Sequence, residues 1–104
     1  MENIGIAYFT NPAIENEPFG KEVEGIMTSV GRLGKVPVRK VDVTKEVTIV
    51  EAMKPQMIPS IIFTNTAGDL EHLRIEGNQL SGITVAKVME TLEAIDRYNK
   101  TGKA

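Results

Sequence analysis

From Ile4 to Phe9 the chain is apolar on both sides of a strand pattern, with Ile4, Ile6 and Tyr8 on one and Gly5, Ala7 and Phe9 on the other. A strand apolar on two faces belongs inside a sheet that is covered on both. The next segment, NPAIENEP over 11–18, carries two prolines and two asparagines and is read as a loop. From Phe19 the rhythm changes. Phe19, Val23, Ile26, Met27, Val30 and Leu33 recur at i, i+3, i+4 and predict an amphipathic helix that Gly34 is placed to end.

Val36–Val43 predicts a second strand, and Thr44 an N-cap for a short helix through Val47, Val50 and Met53 that Pro55 ends. Ser60–Thr64 is the third strand. Asn65–Asp69 supplies turn residues, and Leu70–Glu76 alternates as a half-buried fourth strand, so the pair predicts an antiparallel hairpin. Gly77–Leu80 reads as a further turn. Ser81 then caps a helix bearing Val85, Val88, Met89, Leu92 and Ile95, and the polar tail from Tyr98 is expected to fray.

The order is β-α-β-α-β-β-α in a single domain spanning 1–104, with its core over about 3–96 and a frayed tail at 97–104. A right-handed crossover makes the first two strands parallel. The helix from Phe19 and the final helix are expected to cover opposite faces of one mixed sheet.

Composition changes this picture little. Apolar residues are 41% and charged residues 25% of 104, as in ordinary globular chains. A net charge of −2 gives no electrostatic footprint for nucleic acid or an anionic membrane surface. The basic residues Arg32, Lys35, Arg39 and Lys40 read as a solvated helix end and strand edge. No apolar run approaches the roughly 20 residues that span a bilayer, and the N-terminus lacks a signal-peptide pattern, so a cytoplasmic protein is expected. The chain has no cysteine, which removes disulfides, thiolate metal sites and thiol nucleophiles.

Pro59 stands at the mouth of the most apolar run, QMIPSIIFTN, where a residue without an N–H spares the interior ladder. With Ile58-Pro59-Ser60 before the third strand, Val41-Asp42 ending the second, Phe63 late in the third, the Gly68-Asp69 turn and Gly77…Leu80-Ser81, the chain resembles the thioredoxin-like superfamily. It is similar to the minimal, glutaredoxin-sized members, over Ile4 to about Ile95. The resemblance implies an α/β thioredoxin-like β-α-β-α-β-β-α sandwich, a four-stranded mixed sheet with helices on both faces. It also implies a cis Ile58–Pro59 bond, against a base rate of about 5–6% for X–Pro. In that superfamily the backbone before the cis-proline pairs with an extended peptide or with glutathione.

The redox cysteines of the superfamily would fall within Asn11–Phe19, which here reads NPAIENEPF. Thiol–disulfide exchange needs a thiolate, so oxidoreductase, glutaredoxin and peroxiredoxin activities are excluded. Tyr8 stands near where thioredoxins bury an acid. Tyr8 or Thr10 could imitate the hydroxyl of glutathione transferases, but a core tyrosine with its OH hydrogen-bonded is the expectation. Glu15 and Glu17 are read as surface carboxylates and not as an acid–base pair. His72 is the single histidine and is expected to face solvent; with no cysteine, no metal site is expected. There is neither a G-x-x-x-x-G-K nor a G-x-G-x-x-G motif, and no aspartate precedes Asp42 as a phosphoacceptor domain would need.

The expectation is therefore a protein without enzymatic activity or cofactor, a module for a protein or extended peptide. Its binding surface would comprise Asn11, Ile14, Glu15, Glu17, Met57, Ile58, Pro59 and Asn78. An acidic loop beside Met57 and Ile58 would favour basic and apolar partner side chains. The alternatives are a protein that binds glutathione or another small thiol, and a structural protein that assembles with itself, for which a homodimer is possible.

Overall fold

A computed structural model describes residues 4–65 and 73–101. Its elements are β1 (Ile4–Thr10), α1 (Pro12–Glu15), α2 (Pro18–Gly34), β2 (Val38–Asp42), α3 (Val47–Met53), β3 (Ser60–Asn65), β4 (Arg74–Glu76), a 3₁₀ turn (Gly77–Leu80) and α4 (Val85–Thr101). The sheet order is β2-β1-β3-β4. β1 runs parallel to β2 and antiparallel to β3, and β3 pairs antiparallel with β4.

The two-sided pattern of β1 has the meaning its sequence gives it: all seven residues are buried. Ile4, Ile6 and Tyr8 join Ile61 and Phe63 of β3 in one core, with Val23, Met27 and Val30 of α2 and Val88, Leu92 and Ile95 of α4. Ala7, Phe9, Val41 and Ile62 form a second core on the other face, under Ile49, Val50 and Met53 of α3. Each fully buried aliphatic or aromatic side chain contributes about 1.5–3 kcal/mol relative to exposure.

The helices thus divide differently from the expectation. α2 and α4 share one face and the short α3 covers the other. Handedness fixes α2, because β1-α2-β2 is a parallel crossover. It places no constraint on α4, which follows an antiparallel hairpin. Packing decides there, and the apolar stripe of α4 closes the core that α2 leaves open beside Ile61 and Phe63.

Local signals account for the remaining differences. Residues 12–15 are one helical turn and not loop: Asn11 is extended (φ −145°) and its Oδ1 accepts the Ile14 N–H at 2.9 Å, with Pro12 in the first turn where no N–H is needed. α2 does end at Gly34, but the left-handed residue is Lys35 (φ 51°). α3 begins after Glu46, because Thr44 is engaged with Asp42. Thr84, and not Ser81, caps α4, its Oγ1 accepting the Lys87 N–H at 3.1 Å. The helix then continues to Thr101, into the tail expected to fray, whose residues 102–104 lie outside the described residues. The Gly68-Asp69 turn, residues 70–72 of the fourth strand and the His72 reading lie outside the described residues. Among the described residues no helix is long and apolar enough to cross a membrane.

The Asp42 turn carries a pH dependence. Its carboxylate accepts the Thr44 hydroxyl at 2.6 Å and the Thr44 N–H at 2.9 Å. These donors, the hydroxyl foremost, hold the Asp42 carboxyl below its ordinary value of 3.8. A carboxyl with a lower pKa in the folded chain stabilises the fold above its unfolded value, and that contribution is lost as pH falls through the folded value. Thr44→Val is therefore expected to lower the urea midpoint near neutral pH, with the difference shrinking as the pH falls below the ordinary carboxyl value of 3.8.

Candidate functional site

All four strands end together on one side of the sheet. Thr10 pairs with Asp42, Phe9 with Ser60, and Ser60 with Glu76. The chain leaving β1 at Asn11, the chain reaching β3 through Ile58-Pro59 and the chain leaving β4 at Gly77 are thereby gathered at the same sheet end. The Ile58–Pro59 peptide bond is cis. Pro59 is buried, Ile58 is partly exposed and Met57 is 48% exposed.

Met57 and Gly77 are in direct apposition. The φ of +54° at Gly77 is one that side chains disfavour, and a Cβ there, 2.5 Å from Met57 Cε, would also make the end of the Met57 side chain shift. The Gly77 N–H donates to the Pro59 carbonyl at 2.8 Å. Asn78 follows, exposed at the start of the 3₁₀ turn. Met57, Ile58, Pro59 and Asn78 of the expected surface are thus assembled by the chain around Gly77.

The segment 11–17 is placed less uniformly. Asn11 is consumed in capping α1, and Ile14 is half-buried. Glu17 is exposed and its side chain caps nothing. Glu15 does not offer a free charge: it pairs with Lys40, as does Glu24 of α2. Both carboxylates hold the Lys40 ammonium protonated well above the ordinary lysine range, the Glu15 contact foremost. The acidic character expected of this loop is therefore reduced to Glu17.

Sequence reasoning missed the residue that fastens the edge. Glu76, whose side chain is 12% exposed, accepts the Gln56 N–H at 2.8 Å and the Ser60 hydroxyl at 3.1 Å. Its carboxylate also takes the Gln79 N–H, while Gln79 Oε1 accepts the Glu76 N–H at 2.9 Å, a reciprocal capping box. Arg74 stands 3.7 Å from the same carboxylate and donates to the Met53 and Lys54 carbonyls at 3.0 Å, meeting the last turn of α3. The spacing Glu76-x-x-Gln79 was the available signal, concealed by a short strand leading straight into a turn.

Away from the edge, the Tyr8 ring is core as expected, but its hydroxyl is not hydrogen-bonded. Tyr8 OH and Thr10 Oγ1 are both buried without a partner among the described residues. Burial raises the Tyr8 pKa, and the neighbouring Thr10 hydroxyl opposes that rise. An unpaired buried hydroxyl carries an uncompensated desolvation penalty. Tyr8→Phe is accordingly expected to leave stability unchanged or raise it by up to about 1 kcal/mol in urea denaturation. Among the described residues no group of three or more His, Asp or Glu side chains could hold a metal ion.

No protein-family profile matches the chain, and no curated protein matches it in sequence. Its fold does match solved structures. One, described as the structure of a malarial protein, has a TM-score of 0.68 at 12% identity, covering 89% of this chain and 97% of its own. Another is thioredoxin O2 from Arabidopsis thaliana in its oxidized state, with a TM-score of 0.63 at 14% identity, covering 89% of this chain and 75% of its own. The chain has a thioredoxin-like fold, with a mixed four-stranded sheet and helices on both faces. It carries that fold without a cysteine, so thioredoxin-type thiol–disulfide exchange has no nucleophile here.

Proposed function

We propose that this is a non-redox module that holds an extended peptide segment of a partner protein along the Met57-Ile58-Pro59 edge. The supporting observation is the backbone of Met57 and Ile58, which makes no hydrogen bond among the described residues. The segments on either side are tied down, Gln56 through Glu76 and Pro59 through Gly77. A fixed stretch of unpaired backbone beside an exposed Met and a partly exposed Ile suits β-augmentation, in which main-chain pairing gives affinity and side-chain contacts give selectivity. Met57 adds an adaptable, polarizable contact. With Glu15 engaged by Lys40, selectivity rests more on apolar side chains than on charge, Glu17 supplying the remaining preference for a basic residue.

Selection from a displayed random-heptapeptide library tests this reading. Wild-type protein is expected to enrich apolar-rich extended sequences. Ile58→Glu is expected to lose the enrichment while unfolding at the same urea concentration, and Glu93→Lys on the exposed side of α4 to retain it. Enrichment that survives Ile58→Glu would refute the assignment.

A further inference from the structure

Among the described methionines, Met57 is the one open to solvent. It is 48% exposed, whereas Met27 is 2% exposed and Met53 and Met89 are partly buried against the two cores. Its side chain lies over Gly77: a Cβ on that glycine would stand 3.0 Å from Met57 Cβ, 2.9 Å from Sδ and 2.5 Å from Cε. The thioether thus fills the space that a side chain at 77 would take. Gly77 in turn donates its N–H to the Pro59 carbonyl, and the 3₁₀ turn it opens is closed by the Glu76–Gln79 capping box.

This contact depends on the oxidation state of the sulfur. A thioether is apolar and polarizable, while a sulfoxide is polar and accepts hydrogen bonds. An oxygen added at Sδ would face a glycine whose N–H is already given to Pro59. The sulfoxide gains water by swinging off Gly77, and the apolar contact beside Ile58 is lost with it.

We infer that Met57 is a reversible oxidation site, and that its sulfoxide leaves Gly77 and closes the edge to apolar peptides. The regulation rests on the peptide-binding reading of this edge; the oxidation site itself does not. The oxidant is hydrogen peroxide. The sulfur lone pair attacks one peroxide oxygen, the O–O bond breaks and an S–O bond forms. The proton of the transferred hydroxyl passes to the departing hydroxide, which leaves as water, and the sulfur gives up two electrons.

Graded hydrogen peroxide on the folded protein, followed by mass mapping and amide-resolved NMR, tests both parts. Met57 is expected to take up one oxygen before Met27, Met53 or Met89, with amide shifts at Gly77 and Asn78. A heptapeptide enriched on the wild-type protein should bind the oxidised protein about tenfold more weakly, and methionine sulfoxide reductase should restore it. In Met57→Leu, peroxide should leave the affinity where that variant started. Oxidation of Met53 or Met89 ahead of Met57, or unmoved Gly77 shifts once Met57 is oxidised, would overturn the site. Undiminished peptide affinity after oxidation of Met57 would overturn the regulation. A library that enriches nothing on the unoxidised protein would refute the peptide reading and the regulation with it, the mass map still deciding the oxidation site.

Discussion

Gly20→Ala is expected to destabilise the protein by about 2–3 kcal/mol, whereas Gly25→Ala, one and a half turns along the same helix, should stabilise it by up to about 1 kcal/mol. A Cβ on Gly20 would lie 1.8 Å from the Ile14 carbonyl oxygen and 2.6 Å from its carbon, both backbone atoms that no rotamer change can move. Nothing lies within 4 Å of a Cβ on Gly25, so only the helical preference of alanine remains there. Relief at Gly20 requires α1 to swing away from α2. That movement would draw Glu15 from Lys40 and strain the Glu17 N–H bond to Ile14 at 3.0 Å. Urea unfolding of the two variants reads both signs, with an unchanged m-value showing that the folded state is otherwise intact. If Gly20→Ala were as benign as Gly25→Ala, the close packing of α1 on α2 would be wrong.

Glu76→Ala is expected to cost about 2 kcal/mol and to loosen the peptide edge. The substitution removes the acceptor for the Gln56 N–H, the Ser60 hydroxyl and the Gln79 N–H together. Ser60 is fully buried, so its hydroxyl is left without compensation; Gln56 is exposed and can turn to water, which limits the total. Arg74 keeps its contacts with the end of α3. The specific signature is local: amide exchange at Gln56–Ile58 should accelerate more than exchange in the strand core. Glu76→Gln, which retains an acceptor oxygen, should fall between wild type and alanine. An alanine variant as stable as wild type, with unchanged exchange over 56–58, would remove Glu76 from its fastening role.

The residues that were legible are those whose burial follows strand or helix periodicity. Ile4–Phe9 announced a doubly covered strand, Val23-Met27-Val30 the buried face of α2, and Val88-Leu92-Ile95 that of α4. Pro59 at the start of β3 marked the sheet end where the candidate edge lies. What escaped depends on contacts between distant segments. Gly20 carries no signal in the helix pattern until Ile14 is seen against it. Glu76 looks like the polar side of a strand until Gln56, twenty positions away, donates to it. The face taken by α4 depends on which core remains open, a property of the packed sheet and not of the helix pattern. Likewise Glu15 reads as a surface carboxylate in sequence, because Lys40 reaches it only once β2 lies beside β1.

The central claim is that the backbone at Met57 and Ile58 accepts an extended peptide. Hydrogen exchange at the Ile58 amide, measured with and without a peptide selected on the wild-type protein, tests it most directly. Saturating peptide is expected to slow exchange at Ile58 by at least about tenfold, as a main-chain hydrogen bond would. Exchange at Ile58 that stays at its free rate while protection appears along β2 would contradict the account.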